Sequence, residues 1–242
     1  MDYRVSLWNY YHYSSVPSLE RVIADVKAQG YGIELWPAWQ QERNLYTELY
    51  YEPVKAMLRG VRASLHSSGP QDFEGHKAEI DFAAYVGADR IVVHPDHLKV
   101  NVEKPDFALA RDVLEYGRTK GVAIVLENGQ LEELVRTIEA IPEFGICLDT
   151  GHVYFTSHTM KDFVDALKPR IAHLHLQDTL EESDHYILGT GIIPRTDWEY
   201  LWAALAEMRF HGPAVFEIRP RTVLRSVEES IQFLRSVGFE RG

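Results

Sequence analysis

The sequence has a single cysteine, Cys147, so no disulfide can close within the chain and a reducing cytoplasm is the expected compartment. It has no apolar run near the roughly 20 residues that cross a bilayer, which argues against a membrane span. Its start, Met1-Asp2-Tyr3-Arg4, lacks the basic and apolar segments of a secretory signal. Positive charge is in deficit: 25 Lys and Arg against 36 Asp and Glu give a formal net charge of −11. Broad binding to a phosphate backbone is therefore unfavourable, because each neutralised phosphate needs a Lys or Arg; a local basic or metal-lined patch would still admit nucleic acid. No low-complexity segment, linker or long charge run divides the chain, so residues 1–242 are expected to form one domain.

What the sequence does have is alternation. Short β-rich runs are separated by helical patterns along its whole length. The runs cover 5–8, 32–36, 61–65, 90–93, 122–126, 145–149, 171–176 and 213–216. Helical periodicity covers 18–29, 46–59, 73–86, 106–120, 131–140, 160–167, 197–210 and 223–237. Eight strand–helix units of about 30 residues need a parallel sheet with right-handed crossovers, and in this length they close best as a single (β/α)8 TIM barrel. An open doubly wound sheet would favour a Gly-rich phosphate loop after the first strand, and Trp8-Asn9-Tyr10-Tyr11 is nothing like one.

The strands from the third to the eighth end in His66, His94, Glu127, Asp149, His175 and Glu217 in turn. In a barrel these C-terminal ends share one mouth. Each residue taken alone has a plainer role, such as His66 capping a turn or His94 hydrogen-bonding beside Pro95. Six together point to a shared metal or acid–base site. Three convergent carboxylates repel one another unless a cation lies between them. In the seventh strand, His173 and His175 fall on one face; His175 is nearer the mouth, and His173 is a deeper core or supporting residue. Asp178 either orients a ligand or caps a turn. His152 and His185 lie on loops beyond the mouth, where either can meet a metal or a substrate oxygen. Trp8, Trp36 and Trp39 can wall the pocket, and His12, His76, His97, His158 and His211 are expected on the surface or in packing.

Several stretches, in this order, resemble the xylose isomerase-like barrel superfamily, which includes sugar isomerases and epimerases and the endonuclease IV repair enzymes. They are Gly32-Ile33-Glu34-Leu35-Trp36, Val92-Val93-His94-Pro95, Val125-Leu126-Glu127-Asn128, Cys147-Leu148-Asp149-Thr150-Gly151-His152, His173-Leu174-His175-Leu176-Gln177-Asp178 and Phe216-Glu217. The resemblance implies that Glu127, Asp149, His175 and Glu217 hold the single metal of the sugar enzymes. It implies a further metal on His66, His94 and Glu127, as in the endonuclease IV branch, and a third on His152 and His185. The remaining ligand of that third site is expected two residues before His185, where Ser183 stands and Asp184 is out of register, so the site is expected to be impaired.

With one metal, Glu127 and Glu217 would pass a proton beside a sugar carbonyl while the cation stabilises the enediolate oxygen. With several, water would be activated for attack on a phosphoester such as an abasic site in DNA. The ligand types suit manganese, zinc, cobalt or iron, with one to three ions. The expected function is a sugar or sugar-phosphate isomerase or epimerase, with His152, Trp8 and Trp36 at the substrate. The alternatives are the phosphodiesterase and a non-catalytic small-molecule-binding barrel. A small-molecule partner is expected, nucleic acid is disfavoured, and a homo-oligomer is compatible.

Overall fold

A computed structural model describes residues 1–11, 18–39, 43–219 and 222–238. The chain opens with β1 (Asp2–Ser6), α1 (Trp8–Tyr11), α2 (Leu19–Ala28) and β2 (Gly32–Leu35), then a small hairpin, β3 (Ala38–Trp39) and β4 (Arg43–Asn44). It continues through α3 (Glu48–Met57), β5 (Ala63–His66), α4 (Phe73–Val86), β6 (Arg90–Val93), α5 (Ala108–Lys120), β7 (Ala123–Glu127), α6 (Leu131–Ala140), β8 (Gly145–Asp149), α7 (Met160–Leu167) and β9 (Ile171–Leu176). A second hairpin, β10 (Asp178–Leu180) and β11 (Ser183–Tyr186), precedes α8 (Arg195–Glu207), β12 (Pro213–Phe216) and α9 (Val223–Ser236).

Eight of these strands form a closed parallel barrel in the spatial order β1, β12, β9, β8, β7, β6, β5, β2. Closure is made by β1, which pairs with β12 from Asp2↔Pro213 to Val5↔Phe216 and with β2 from Arg4↔Gly32 to Ser6↔Glu34. The architecture is the expected TIM barrel. The helices bury one stripe each against it: α2, for instance, turns Leu19, Val22, Ile23 and Val26 inward, and its start is fixed by Ser18, whose hydroxyl accepts from Arg21 N. Among the described residues no helix is long and apolar enough to cross a membrane.

Two local departures from the sequence expectation have clear causes. The first strand is shifted towards the N-terminus, because the chain turns at Leu7 into α1. Ser6 Oγ accepts from Trp8 N at 3.2 Å, and Asn9 bridges to β12 by donating to Phe216 O and accepting from Ile218 N, both at 2.8 Å. The hairpins β3–β4 and β10–β11 were not expected, since strands of two to four residues carry no readable alternation.

Inside the barrel the side chains are unusually polar. Val92, Val125 and Cys147 make a small apolar cluster. Below lies Arg4, 1% exposed, whose guanidinium contacts Asp2 and Asp89 at 2.7 Å each. Gly32 makes room for it: a Cβ there would sit 2.8 Å from Arg4 Cγ and 2.7 Å from Arg62 O. Above lie Ser6, Glu34, Ser64 and His173, all fully buried. A buried charge must be paired, so this layer ties the interior to the mouth above it.

Candidate metal centre

The last inward-facing residues of β7, β8 and β9, with the residue that follows β12, supply Glu127, Asp149, His175 and Glu217. One oxygen or nitrogen from each lies within 4.8 Å of the others, and all four residues are buried. His175 Nδ1 faces this group, 3.0 Å from Glu127 Oε1, 3.6 Å from Glu217 Oε2 and 3.8 Å from Asp149 Oδ2. Each carboxylate is anchored by the oxygen turned away from the centre or shared with a neighbour. Asp149 Oδ1 accepts from Gly151 N (2.8 Å), His152 N (2.9 Å) and Gln177 Nε2 (2.9 Å), and Glu217 Oε1 accepts from Ser6 Oγ at 3.0 Å. On its far side His175 Nε2 lies 2.9 Å from Glu34 Oε1.

A second group shares Glu127. Its Oε2 lies 2.9 Å from His94 Nε2 and 3.3 Å from His66 Nε2, and those two nitrogens are 3.2 Å apart. In the third group the structure places Asp184, not Ser183, beside His152 and His185. Ser183 Oγ is instead paired with the Tyr186 hydroxyl at 3.0 Å, and Asp184 takes its place, with Oδ2 3.4 Å from His185 Nε2 and 4.0 Å from His152 Nε2. Alternation would send Asp184 and His185 to opposite faces. His185 has φ of 64°, in the left-handed region, which interrupts the pleat and lets both residues meet one point.

The electrostatics show what such a cluster demands. Burial pushes the Glu127 carboxyl up, but His94 and His175 hold it well below the usual carboxylate range. Burial opposes protonation of His94, yet Glu127 lifts its pKa to about 9. Burial opposes protonation of His175 too, and the groups around it, Cys147, Glu217, Glu34 and Glu127, carry it well above its ordinary value. His152 is raised against burial by Asp149 and Glu127. Imidazolium protons thus compensate the carboxylates, and a divalent cation coordinated there would displace them. Mixed nitrogen and oxygen donors fit manganese, zinc, cobalt or iron better than calcium.

The other singled-out residues fall into place around this centre. Trp8 stacks on His185 with ring centroids 3.8 Å apart, and Trp36 lies against His66 at 4.4 Å, so both reach the cluster. Trp39 does not: it is buried against Tyr10. Asp178 caps a turn, accepting from Thr179 N, Gly189 N and Ile193 N at 2.9, 2.9 and 3.2 Å. His173 is fully buried, 3.1 Å from Glu34 Oε2, and burial lowers its pKa to about 4. Cys147 sits beside His173 and His175, and burial pushes its thiol up. His76 is buried, with Nε2 3.2 Å from His97 O; His97 stacks on His94 at 5.1 Å; His158 pairs with Glu132 at 2.7 Å; His211 is exposed. His12 lies outside the described residues. Sequence reasoning missed Glu34, Gln177 and Ser6 as supports. Glu34 left a signal, an ionisable residue inside an otherwise apolar barrel strand.

A family model described as Xylose isomerase-like TIM barrel matches residues 23–237. A Mesomycoplasma hyopneumoniae protein named Probable endonuclease 4 is 30% identical over 143 residues, which is 48% of this chain and 51% of that protein. The chain therefore spans about half the length of the curated relatives it matches. A D-tagatose 3-epimerase-like protein superposes with a TM-score of 0.77 at 19% identity over 98% of both chains. D-allulose 3-epimerase from Methylomonas sp. superposes with a TM-score of 0.71, also at 19% identity over 98% of both. At these identities the structural likeness speaks for the fold.

Proposed function

The chain belongs to the xylose isomerase-like TIM barrel family, and from that premise we propose that it is a divalent-metal-dependent sugar or sugar-phosphate isomerase or epimerase. The observation that carries this reading is the convergence of Glu127, Asp149, His175 and Glu217 within 4.8 Å at one barrel mouth. When bound there, a divalent cation supplies electrophilic stabilisation of the negative charge that develops on oxygen beside the carbon losing its proton. The chain's own groups do the rest. Glu127 and Glu217 come from separate strands, so one takes the proton from the carbon beside the carbonyl and the other returns it. Ser6 fixes Glu217 through Oε1, leaving Oε2 towards the centre, and Gln177 fixes Asp149. Trp36 and Trp8 stand on two sides of the cluster, Trp8 held between His185 and the Arg219 guanidinium, where their edges can meet the C–H groups of a sugar, and His152 can hold a hydroxyl.

The epimerase names among the structural neighbours support this chemistry. The lone cysteine is buried, in keeping with a cytoplasmic enzyme. The test is solvent deuterium wash-in at the carbon beside the carbonyl across a panel of aldoses and ketoses, run on metal-stripped and metal-restored protein. Exchange that needs the metal is the expected result; no exchange with any sugar by fully metallated protein rejects it.

A second reading rests on a specific observation: Asp184 completes the third group, so three adjacent donor sets line the mouth, as hydrolysis of a phosphoester by clustered metals requires. The Probable endonuclease 4 relatives favour it. The net charge of −11 weighs against a duplex substrate. Chelator-sensitive cleavage of an abasic-site duplex, with two or three ions per chain, would make it the better account.

A further inference from the structure

We propose that Glu34 is a positioning residue for His175. Its carboxylate accepts the Nε2 proton and so fixes the tautomer whose Nδ1 lone pair faces the mouth. This inference rests on the reading that Glu127, Asp149, His175 and Glu217 hold a divalent ion.

The imidazole of His175 spans two environments. Nδ1 looks up at Glu127, Glu217 and Asp149, and Nε2 looks down into the barrel, 2.9 Å from Glu34 Oε1. For Nδ1 to coordinate a cation, the ring proton must sit on Nε2, and a buried N–H needs an acceptor. Glu34 is fully buried, and neither Glu34 Oε1 nor His175 Nε2 makes an aligned hydrogen bond among the described residues, their own 2.9 Å approach included; the ring's hydrogen bond is the one between Nδ1 and Glu127 Oε1 at 3.0 Å. Once a cation takes Nδ1, Glu34 Oε1 and His175 Nε2 are placed to satisfy each other. The second carboxylate oxygen is clamped: Ser64 Oγ donates to Glu34 Oε2 at 2.9 Å, and His173 Nε2 lies 3.1 Å from it. A carboxylate held in this way on β2, beneath a histidine on β9, aims the ring and raises its basicity as a ligand.

The chemistry at this position is specific to an acceptor. A Gln in place of Glu34 has the same shape but can turn its amide N–H towards His175 Nε2. That demands a lone pair there and moves the proton to Nδ1, where the cation has to be. An Asp is shorter but remains acceptor-only. A role in tautomer selection therefore predicts metal affinity in the order Glu, Asp, Gln, whereas a purely structural role predicts that isosteric Gln is tolerated and Asp is not.

The experiment is a Co2+ titration of metal-stripped protein against a competing chelator, for the unsubstituted chain, Glu34→Gln, Glu34→Asp and Ser64→Ala. Expected is a loss on the order of 10–100-fold for Glu34→Gln, a smaller loss for Glu34→Asp and the smallest for Ser64→Ala. Equal affinity for Glu34→Gln, or Asp weaker than Gln, overturns the inference while leaving the metal centre standing. Absence of Co2+ binding by the unsubstituted chain removes the centre and the inference with it. Should the variants fail to fold, 15N NMR of the Zn2+-loaded unsubstituted protein decides: a proton on His175 Nε2 supports the assignment, and its absence overturns it.

Discussion

Replacing Asp149 by Asn changes one atom of a side chain whose two oxygens have different tasks. Oδ1 accepts from the Gly151 and His152 amides, and Asn keeps an oxygen for them. Oδ2 accepts from Gln177 Nε2 at 2.7 Å and lies 3.8 Å from His175 Nδ1 in the cluster, and there Asn presents an N–H group that cannot coordinate a cation. The fold should survive and the metal should not. Changing a residue that merely supports a metal ligand costs roughly 10–100-fold in affinity, so loss of a ligand should cost at least about 100-fold. A divalent ion at about 100 times its Kd stabilises the folded state by about 2.7 kcal/mol. For a chain of this size each kcal/mol is worth roughly 2–4 °C in Tm, so the unsubstituted protein should gain about 5–10 °C on metal addition. At the same concentration D149N sits near its own Kd, gains about 0.4 kcal/mol, and should rise by no more than about 2 °C. Its metal-free Tm should not rise, because Asn removes the oxygen that accepts from Gln177 Nε2 at 2.7 Å and the negative charge that faces His152 and His175. Differential scanning fluorimetry with elemental analysis reads all of this. Equal metal content and an equal Tm rise in D149N would refute the reasoning.

Three further outcomes are expected. Glu217→Gln should lower kcat by about 100-fold or more while leaving most of the fold intact, measured by the deuterium exchange rate on metal-restored protein; an unchanged rate removes Glu217 as a proton carrier. In metal-free protein the raised pKa of His94 means that its pairing with Glu127 adds stability fully present below about 6.5 and lost as pH rises through about 9. Metal uptake at His66, His94 and Glu127 should accordingly strengthen across that window as the competing proton leaves, and a pH series of Co2+ titrations with and without His94→Ala should show the difference. Gly191→Ala should destabilise the chain by roughly 1–3 kcal/mol, because the new Cβ would sit 2.2 Å from Asp178 Oδ1 and 2.3 Å from Thr179 O; urea denaturation measures it, and a midpoint shift near zero contradicts it.

The barrel and much of its mouth were legible because a parallel sheet buries both faces of its strands. Apolar runs such as 122–126 and 145–148 therefore stop abruptly, and an ionisable residue at the stop, Glu127 or Asp149, has only the mouth to face. Position along the chain and position in space coincide there. They part where support comes from below or from a bent backbone. Glu34 is read in sequence as one polar letter in Gly-Ile-Glu-Leu-Trp; its partners His173, His175 and Ser64 are on other strands. Asp184 stands out of register in the sequence because alternation assumes an extended chain, and the left-handed turn at His185 breaks that assumption. Trp39 looked like a pocket wall from its place after a strand, yet the β3–β4 hairpin turns it onto Tyr10.

The β10–β11 hairpin stands outside the closed barrel, with a register irregularity between its two rungs, Asp178↔Tyr186 and Leu180↔Ser183. Its own sequence decides whether a carboxylate joins His152 and His185, while the barrel beneath is held by other hydrogen bonds. A change of register there would move Asp184 relative to His152, and because His185 N donates to Gln177 Oε1 and His185 O accepts from Arg219 N, it would also reach the ends of β9 and β12. The carboxylate of the third donor group is thus set by the hairpin, whereas the carboxylates of the first two stand at the ends of barrel strands.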